Sequence, residues 1–155
     1  MFRATVISIV AIGLLTACGG GGERTVPQAQ AAEENSAVFG DYTVYFHALS
    51  TNEVPAEVAQ AVGIVRANNR AMLNVSIQET VGAVSVEADV SVDVVNLTGQ
   101  SKSMTMRKVQ QDAAIYYIGE VSVSNRETLI FDINVTPAGS EDTFEVRTKR
   151  EYYTD

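Results

Sequence analysis

Cysteine is almost missing from this 155-residue chain. The one present, Cys18, stands near the start, so no disulfide can staple the rest of the chain and stability must come from a core. Tryptophan is absent and His47 is the only histidine. A zinc site of the usual kind therefore lacks its nitrogen and sulfur ligands. A Ser-His-acid triad would have to run through His47, yet no serine stands in a G-x-S-x-G elbow. Bases are also scarce, 11 against 19 acids, for a formal net charge of −8. That balance, with no basic patch, argues against nucleic acid as a partner. Finally, no apolar run is long enough for a membrane helix: the stretch at 4–15 falls well short of the roughly 20 residues that cross a bilayer.

That short stretch fits an export signal instead. Arg3 supplies the positive flank, residues 4–15 the apolar segment, and Leu15-Thr16-Ala17-Cys18 matches the lipobox at which bacterial lipoprotein precursors are cut and lipidated. The expected organisation is a signal peptide at 1–17, a lipidated N-terminus and flexible tether at 18–38, and a folded domain at 39–155. Gly, Ala, Gln, Glu and Ser dominate the tether. Gly19 differs from the Asp that commonly keeps lipoproteins at the inner membrane. The expected location is thus the cell envelope, anchored to the membrane through lipid on Cys18, on the periplasmic face of the outer membrane.

Downstream the apolar period is mostly 2. From Val84 to Val94 every second residue is apolar, against Ser85, Glu87, Asp89, Ser91 and Asp93, the pattern of a half-buried strand. Further strands are expected near 42–49, 71–78, 103–109, 115–123, 129–135 and 144–153, with a shorter one at 63–67. Asn68-Asn69, Leu97-Thr98-Gly99, Val123-Ser124-Asn125 and Pro137-Ala138-Gly139-Ser140 supply turn chemistry between them. One short helix is expected at 55–61, with Pro55 in its first turn and Thr51 or Asn52 as cap. The implied fold class is all-β: an immunoglobulin-like antiparallel β-sandwich of about seven or eight strands, with a small barrel as the alternative.

Few residues carry chemistry. Met104 and Met106 share a strand face and, with Met72 and His47, could offer soft ligands to Cu(I), although core packing explains them more simply. Glu87, Asp89 and Asp93 lack the Gly-bearing loop that wraps Ca²⁺. Asp132 alternates with Phe131 and Ile133 and is expected on the less buried side, as edge protection or a structural hydrogen bond. No catalytic or metal-binding residue is assigned and no cofactor is expected. Tyrosine is the favoured aromatic, and the pairs Tyr116-Tyr117 and Tyr152-Tyr153 should each send one ring in and one out. Tyr45, Tyr116, Tyr117 and Tyr153 are therefore the candidates for a partner-binding surface.

Several stretches resemble one family of small Gram-negative envelope proteins, that of domain of unknown function 4426. They are Phe39-Gly40-Asp41-Tyr42, Val54-Pro55-Ala56-Glu57-Val58-Ala59, Gly63-Ile64-Val65-Arg66, Leu73-Asn74-Val75-Ser76 and Asn96-Leu97-Thr98-Gly99-Gln100. Ala114-Ile115-Tyr116-Tyr117-Ile118-Gly119-Glu120, Asn125-Arg126-Glu127-Thr128-Leu129 and Tyr152-Tyr153-Thr154-Asp155 continue the likeness to the end of the chain. The resemblance implies an exported protein without assigned catalytic residues, often with a simple cleavable signal, so the lipobox here is a departure. The expected role is a non-enzymatic binding or accessory module for an envelope protein. The rival readings are a carboxylate-based hydrolase and a small-ligand or metal carrier.

Overall fold

The structure, a computed structural model, describes residues 35–155; the expected signal peptide, the expected lipidation site Cys18 and the expected tether up to residue 34 lie outside the described residues. Alternating apolar residues produce the strands. In β2 (Tyr42–Ser50), Val44 and Phe46 are buried while Tyr45 and His47 are exposed. In β8 (Glu127–Pro137), Leu129, Phe131, Ile133 and Val135 are all at or below 1% exposure, and the residues between them are half-buried. One face of each such strand needs cover, and two sheets laid face to face provide it.

The remaining strands are β1 (Ser36–Phe39), β3 (Arg70–Glu79), β4 (Ala88–Asn96), β5 (Ser101–Lys102), β6 (Arg107–Gln111), β7 (Ala114–Ser122) and β9 (Phe144–Tyr152). All pairings are antiparallel. They make a five-stranded sheet, β1-β2-β3-β7-β6, and a four-stranded sheet, β5-β4-β8-β9. The run β2-β3-β7-β6 occupies the places of the A-B-E-D sheet, and β4-β8-β9 those of the C-F-G sheet, of an immunoglobulin-type domain. The expected sandwich is thus present, with nine strands because β1 and β5 extend its edges. Its core joins Val44, Leu73, Val75 and Ile77 of one sheet to Leu129, Phe131, Ile133 and Val135 of the other. Burying side chains of this size contributes about 1.5–3 kcal/mol each before entropy is subtracted.

Three boundaries differ from the sequence reading. Strand β1 takes in Ser36–Val38, which composition had placed in the tether. The faultless alternation from Val84 is only partly strand: Ser85 bridges Gln78 and the Val86 amide donates to Ile77, so 84–87 runs along β3 before β4 joins the other sheet. The expected strand at 103–109 likewise begins at Arg107, because the preceding residues cross between sheets. Period 2 reports a covered face and not which sheet covers it. No strand forms at 63–67, which instead closes the excursion carrying the helix.

Candidate functional site

Between β2 and β3 the chain leaves the sandwich and lies on the outer face of the five-stranded sheet. A 3-10 turn (Thr51–Glu53) leads through Val54 and Pro55 into α1 (Ala56–Val62). Pro55 is the N-cap, suited there because its missing N–H has no helical partner to lose. Gly63 ends the helix in the left-handed region, φ 70°, where a side chain would be strained. The excursion is tied at its base: the buried Thr51 hydroxyl donates to Ala67 O (3.1 Å) and accepts from Ala67 N (3.0 Å). Arg66 donates to Asn52 O and Arg107 to Val62 O. Arg150 of β9 donates to Ala48 O (2.6 Å) and to both Glu53 carboxylate oxygens (3.1 and 3.0 Å).

Apolar contact holds the rest. Val54, Ala59 and Ile64 pack on Met72 and Ile118, outward-facing residues of β3 and β7, in a second small core. The cover is incomplete and leaves an open cleft of about 370 Å³. Leu49, Met72, Asn74, Val109, Tyr116 and Ile118 line it from the sheet; Val54, Pro55, Val58, Val62 and Ile64 line it from the helical excursion; His47, Glu53 and Gln111 add polar groups. Asn74 Oδ1 is buried and accepts no hydrogen bond. A shallower depression of about 190 Å³ shares His47 and Asn74 with the cleft and continues past Tyr45 and Ser76 to Asn35.

The candidate tyrosines divide. Tyr45 is 43% exposed and Tyr116 half-buried, both on this outer face on either side of β3. Tyr153 is 62% exposed but follows β9 of the other sheet. Tyr117 is not a surface residue: it is 5% exposed, and its hydroxyl accepts the Ala88 amide at 2.7 Å. Alternation within each Tyr-Tyr pair put Tyr117 and Tyr152 inside and left Tyr116 and Tyr153 outside.

The soft-ligand set is split by the sheet. His47 and Met72 line the cleft outside it. Met104 and Met106 pack against the main core, and their sulfurs lie 2.8 and 2.6 Å from the point where a Cβ on Gly119 would stand. Glycine at 119 is what lets them seat there. Among the described residues no group of three or more His, Cys, Asp or Glu converges.

The acids with resolved shifts are held below the ordinary carboxylate range by cationic partners. Arg147 grips Asp132 through Nε (2.5 Å) and Nη2 (2.9 Å) on the outer face of the four-stranded sheet, lowering its pKa against a smaller opposing effect of burial. At Glu127 burial acts upward and is the largest single influence. It is outweighed by hydrogen bonds from Lys102 Nζ (2.6 Å), Ser124 N (2.8 Å) and Asn96 Nδ2 (3.1 Å).

Sequence reasoning missed the cleft. Its signals were Val58 and Val62, four apart on one stripe of α1, and β3, where Ala71, Met72 and Leu73 are apolar on consecutive faces. A strand apolar on both sides must be covered on both sides.

These features define an all-β sandwich of immunoglobulin type with one sheet face partly roofed by a helix. The chain belongs to the DUF4426 family, described as a domain of unknown function, whose model matches residues 36–155. It is similar to a DUF4426 protein of Pseudomonas aeruginosa PAO1, known from a crystal structure, at 32% identity and a TM-score of 0.67, over 77% of this chain and 94% of that one. Its fold is also similar to that of FetP from uropathogenic Escherichia coli strain F11, expressed in the periplasm of E. coli BL21(DE3), at 12% identity and a TM-score of 0.55, over 78% of this chain and 94% of that one. A copper-bound variant of the same FetP gives 12% identity and a TM-score of 0.54, over 76% and 93% of the two chains. No curated protein matches the chain.

Proposed function

We propose that this protein is a lipid-anchored binding module of the cell envelope, held through Cys18 on the periplasmic face of the outer membrane, that engages an envelope protein through the outer face of its five-stranded sheet. The observation carrying this reading is the contrast between the two outer faces. One presents an apolar concavity beside Tyr45 and Tyr116. The other presents Asp93, Asp132 and Arg147 in one cross-strand row, flanked by Glu145 and Lys149. Aromatic residues around an apolar depression are what protein contacts use, whereas an ion-paired face is comfortable in water.

The hydrolase reading has less support, since it calls for a cleft lined by carboxylates with raised pKa values. The cleft here has one carboxylate, Glu53, already engaged by Arg150. The copper of the FetP variant does not fit this donor set either: among the described residues two thioethers approach one point, and the sole histidine lies across the sheet from them.

The test is photo-crosslinking in intact cells, with the reactive residue placed in turn at Tyr45, Tyr116 and Tyr153. One recurring protein adduct at Tyr45 and Tyr116, absent at Tyr153, is expected. No specific adduct from well-expressed protein, or the same adduct at all three positions, would remove this face as the contact surface.

A further inference from the structure

We propose that the end of the four-stranded sheet where Leu97, Arg126 and Tyr153 stand is a docking surface for the headgroup layer of a phospholipid membrane. The inference goes beyond the protein-partner reading, whose contact face belongs to the other sheet; only its cellular setting rests on the anchored reading of Cys18. β4 ends at Asn96, β8 begins at Glu127 and β9 ends at Tyr152, and these strands are neighbours. Their ends lie together: Asn96 Nδ2 donates to Glu127 (3.1 Å), and Glu127 faces Tyr152 across the ladder. Leu97, Arg126 and Tyr153 thus occupy three adjacent strand ends, a row about 10 Å across. All three are exposed, Leu97 at 70% and Tyr153 at 62%. Leu97 is not loose. Asn96 Oδ1 accepts from Thr98 N (3.1 Å), Thr98 Oγ1 (2.7 Å) and Gln100 N (2.9 Å), and Gly99 turns the chain back at φ 81°. None of these bonds uses the Leu97 side chain, so the turn would accept a polar residue there equally well.

Charge divides the domain along the same axis. The connections at the opposite end carry Asp41, Glu79, Asp112, Glu141 and Asp142, all exposed and none in an ion pair among the described residues. No base stands at 79–89, 110–114 or 136–144, and Lys108 of β6 answers only Glu87. Around Leu97 the acids are engaged instead. Glu127 is paired with Lys102, Glu151 accepts from the Tyr153 hydroxyl and Asp155 from Asn125, while Arg126 makes no ion pair. A layer of phosphates therefore repels the acidic end and meets a free guanidinium at this one. Leucine for the acyl boundary, tyrosine for the headgroup level and arginine for phosphate are the chemistry of an interfacial contact. A row this small falls short of the roughly 800 Å² that each side of a stable protein contact buries. Its lipid contact is weak as well, but a tether to the same membrane raises the local concentration enough to keep it occupied.

The experiment couples the chain from Cys18 onward, through that sole thiol, to maleimide headgroups on phosphatidylcholine vesicles, so it does not depend on lipidation in the cell. The chain has no tryptophan, and one introduced residue is then a unique reporter. On vesicles with brominated acyl chains, the emission of Leu97→Trp should shift to the blue and fall by about half. Val81→Trp, at the acidic end where Val81 is 87% exposed, puts the same interface-seeking side chain in the wrong place and should change in neither respect. Without coupling, the quenching of Leu97→Trp should largely disappear.

Arg126 stands at φ 58°, a conformation that asparagine accepts, so Arg126→Asn removes the charge and keeps the turn. Added to coupled Leu97→Trp, it should reduce the quenching by about twofold. Circular dichroism and urea midpoints establish that the variants are folded. Coupled Leu97→Trp left unquenched, Val81→Trp quenched as much, or quenching undiminished in folded Arg126→Asn would each overturn the proposal. The vesicles carry no protein partner and the anchor is imposed by chemistry. None of these results therefore touches the crosslinking outcome at Tyr45 and Tyr116 or the lipidation of Cys18, and the readings fail separately.

Discussion

Tyr116 and Tyr117 show what one position along a strand decides. Period 2 made it legible that one ring of the pair turns inward, because a strand with one face on the core must alternate. Which ring does so depends on register, and register is set by Arg107 pairing with Ile118 and Asn74 pairing with Ile118 on the other side. Tyr117 then brings its hydroxyl to the Ala88 amide, where the chain passes from one sheet to the other. Tyr117→Phe should leave that part-buried amide without its acceptor and destabilise the domain by about 1–2 kcal/mol, read as a lower urea midpoint with unchanged slope. Tyr116→Phe should change the midpoint little, since no hydrogen bond anchors its ring and surface changes of this kind stay within about 0.5 kcal/mol. Asn74 was not legible in the same way. Its neighbours announce a strand, but a solvated asparagine and a part-buried one that lines a cleft read alike until the helix that roofs the cleft is in place.

Among the elements, β5 is the weakest by itself, two residues long and at an edge. Beyond its short antiparallel pairing with β4, its attachment is electrostatic. Lys102 reaches Glu127 at 2.6 Å and Ser122 O at 2.9 Å, and Glu127 also accepts from Asn96 of β4 and from the Ser124 amide of the turn before β8. Both side chains are largely shielded, 18% exposed for Lys102 and 11% for Glu127. A carboxyl held below its ordinary value of 4.5 in the fold binds its proton more readily in the unfolded chain. Its contribution is therefore complete above the unfolded value and is lost as pH falls through the folded one. Glu127→Gln should lower the stability at pH 7 by about 1–2 kcal/mol and flatten the loss of stability between neutral and acid pH, both measured by urea titration across that range. The existence of β4, β8 and β9 could be read from pattern alone. The point where β4 leaves β3 could not, because Val84 and Val86 continue the alternation unbroken while the chain changes sheets.

At the scale of the molecule, the immunoglobulin-type order arises from hairpin neighbours and three sheet crossings, and the sequence already showed enough short strands and turns to call for it. What pattern could not show is the inequality of the two outer faces. That arises because the excursion between β2 and β3 folds back over one sheet, while cross-strand pairs such as Asp132 with Arg147 keep the other in water. A module that presents one face has use for a fixed place in the envelope, and the lipobox ending at Cys18 is the part of the sequence that would supply it. About 16 residues between Cys18 and the described domain reach at most ~55 Å when extended, which on the proposed function would let that face turn toward a partner beside the membrane. Lipid attachment and folding are then separable. Cys18→Ser should abolish incorporation of labelled fatty acid and leave the residues from Ser36 onward as protease-resistant as before. Labelled lipid persisting on the Cys18→Ser chain would place the anchor elsewhere, and loss of protease resistance would mean that the domain needs its anchor to fold.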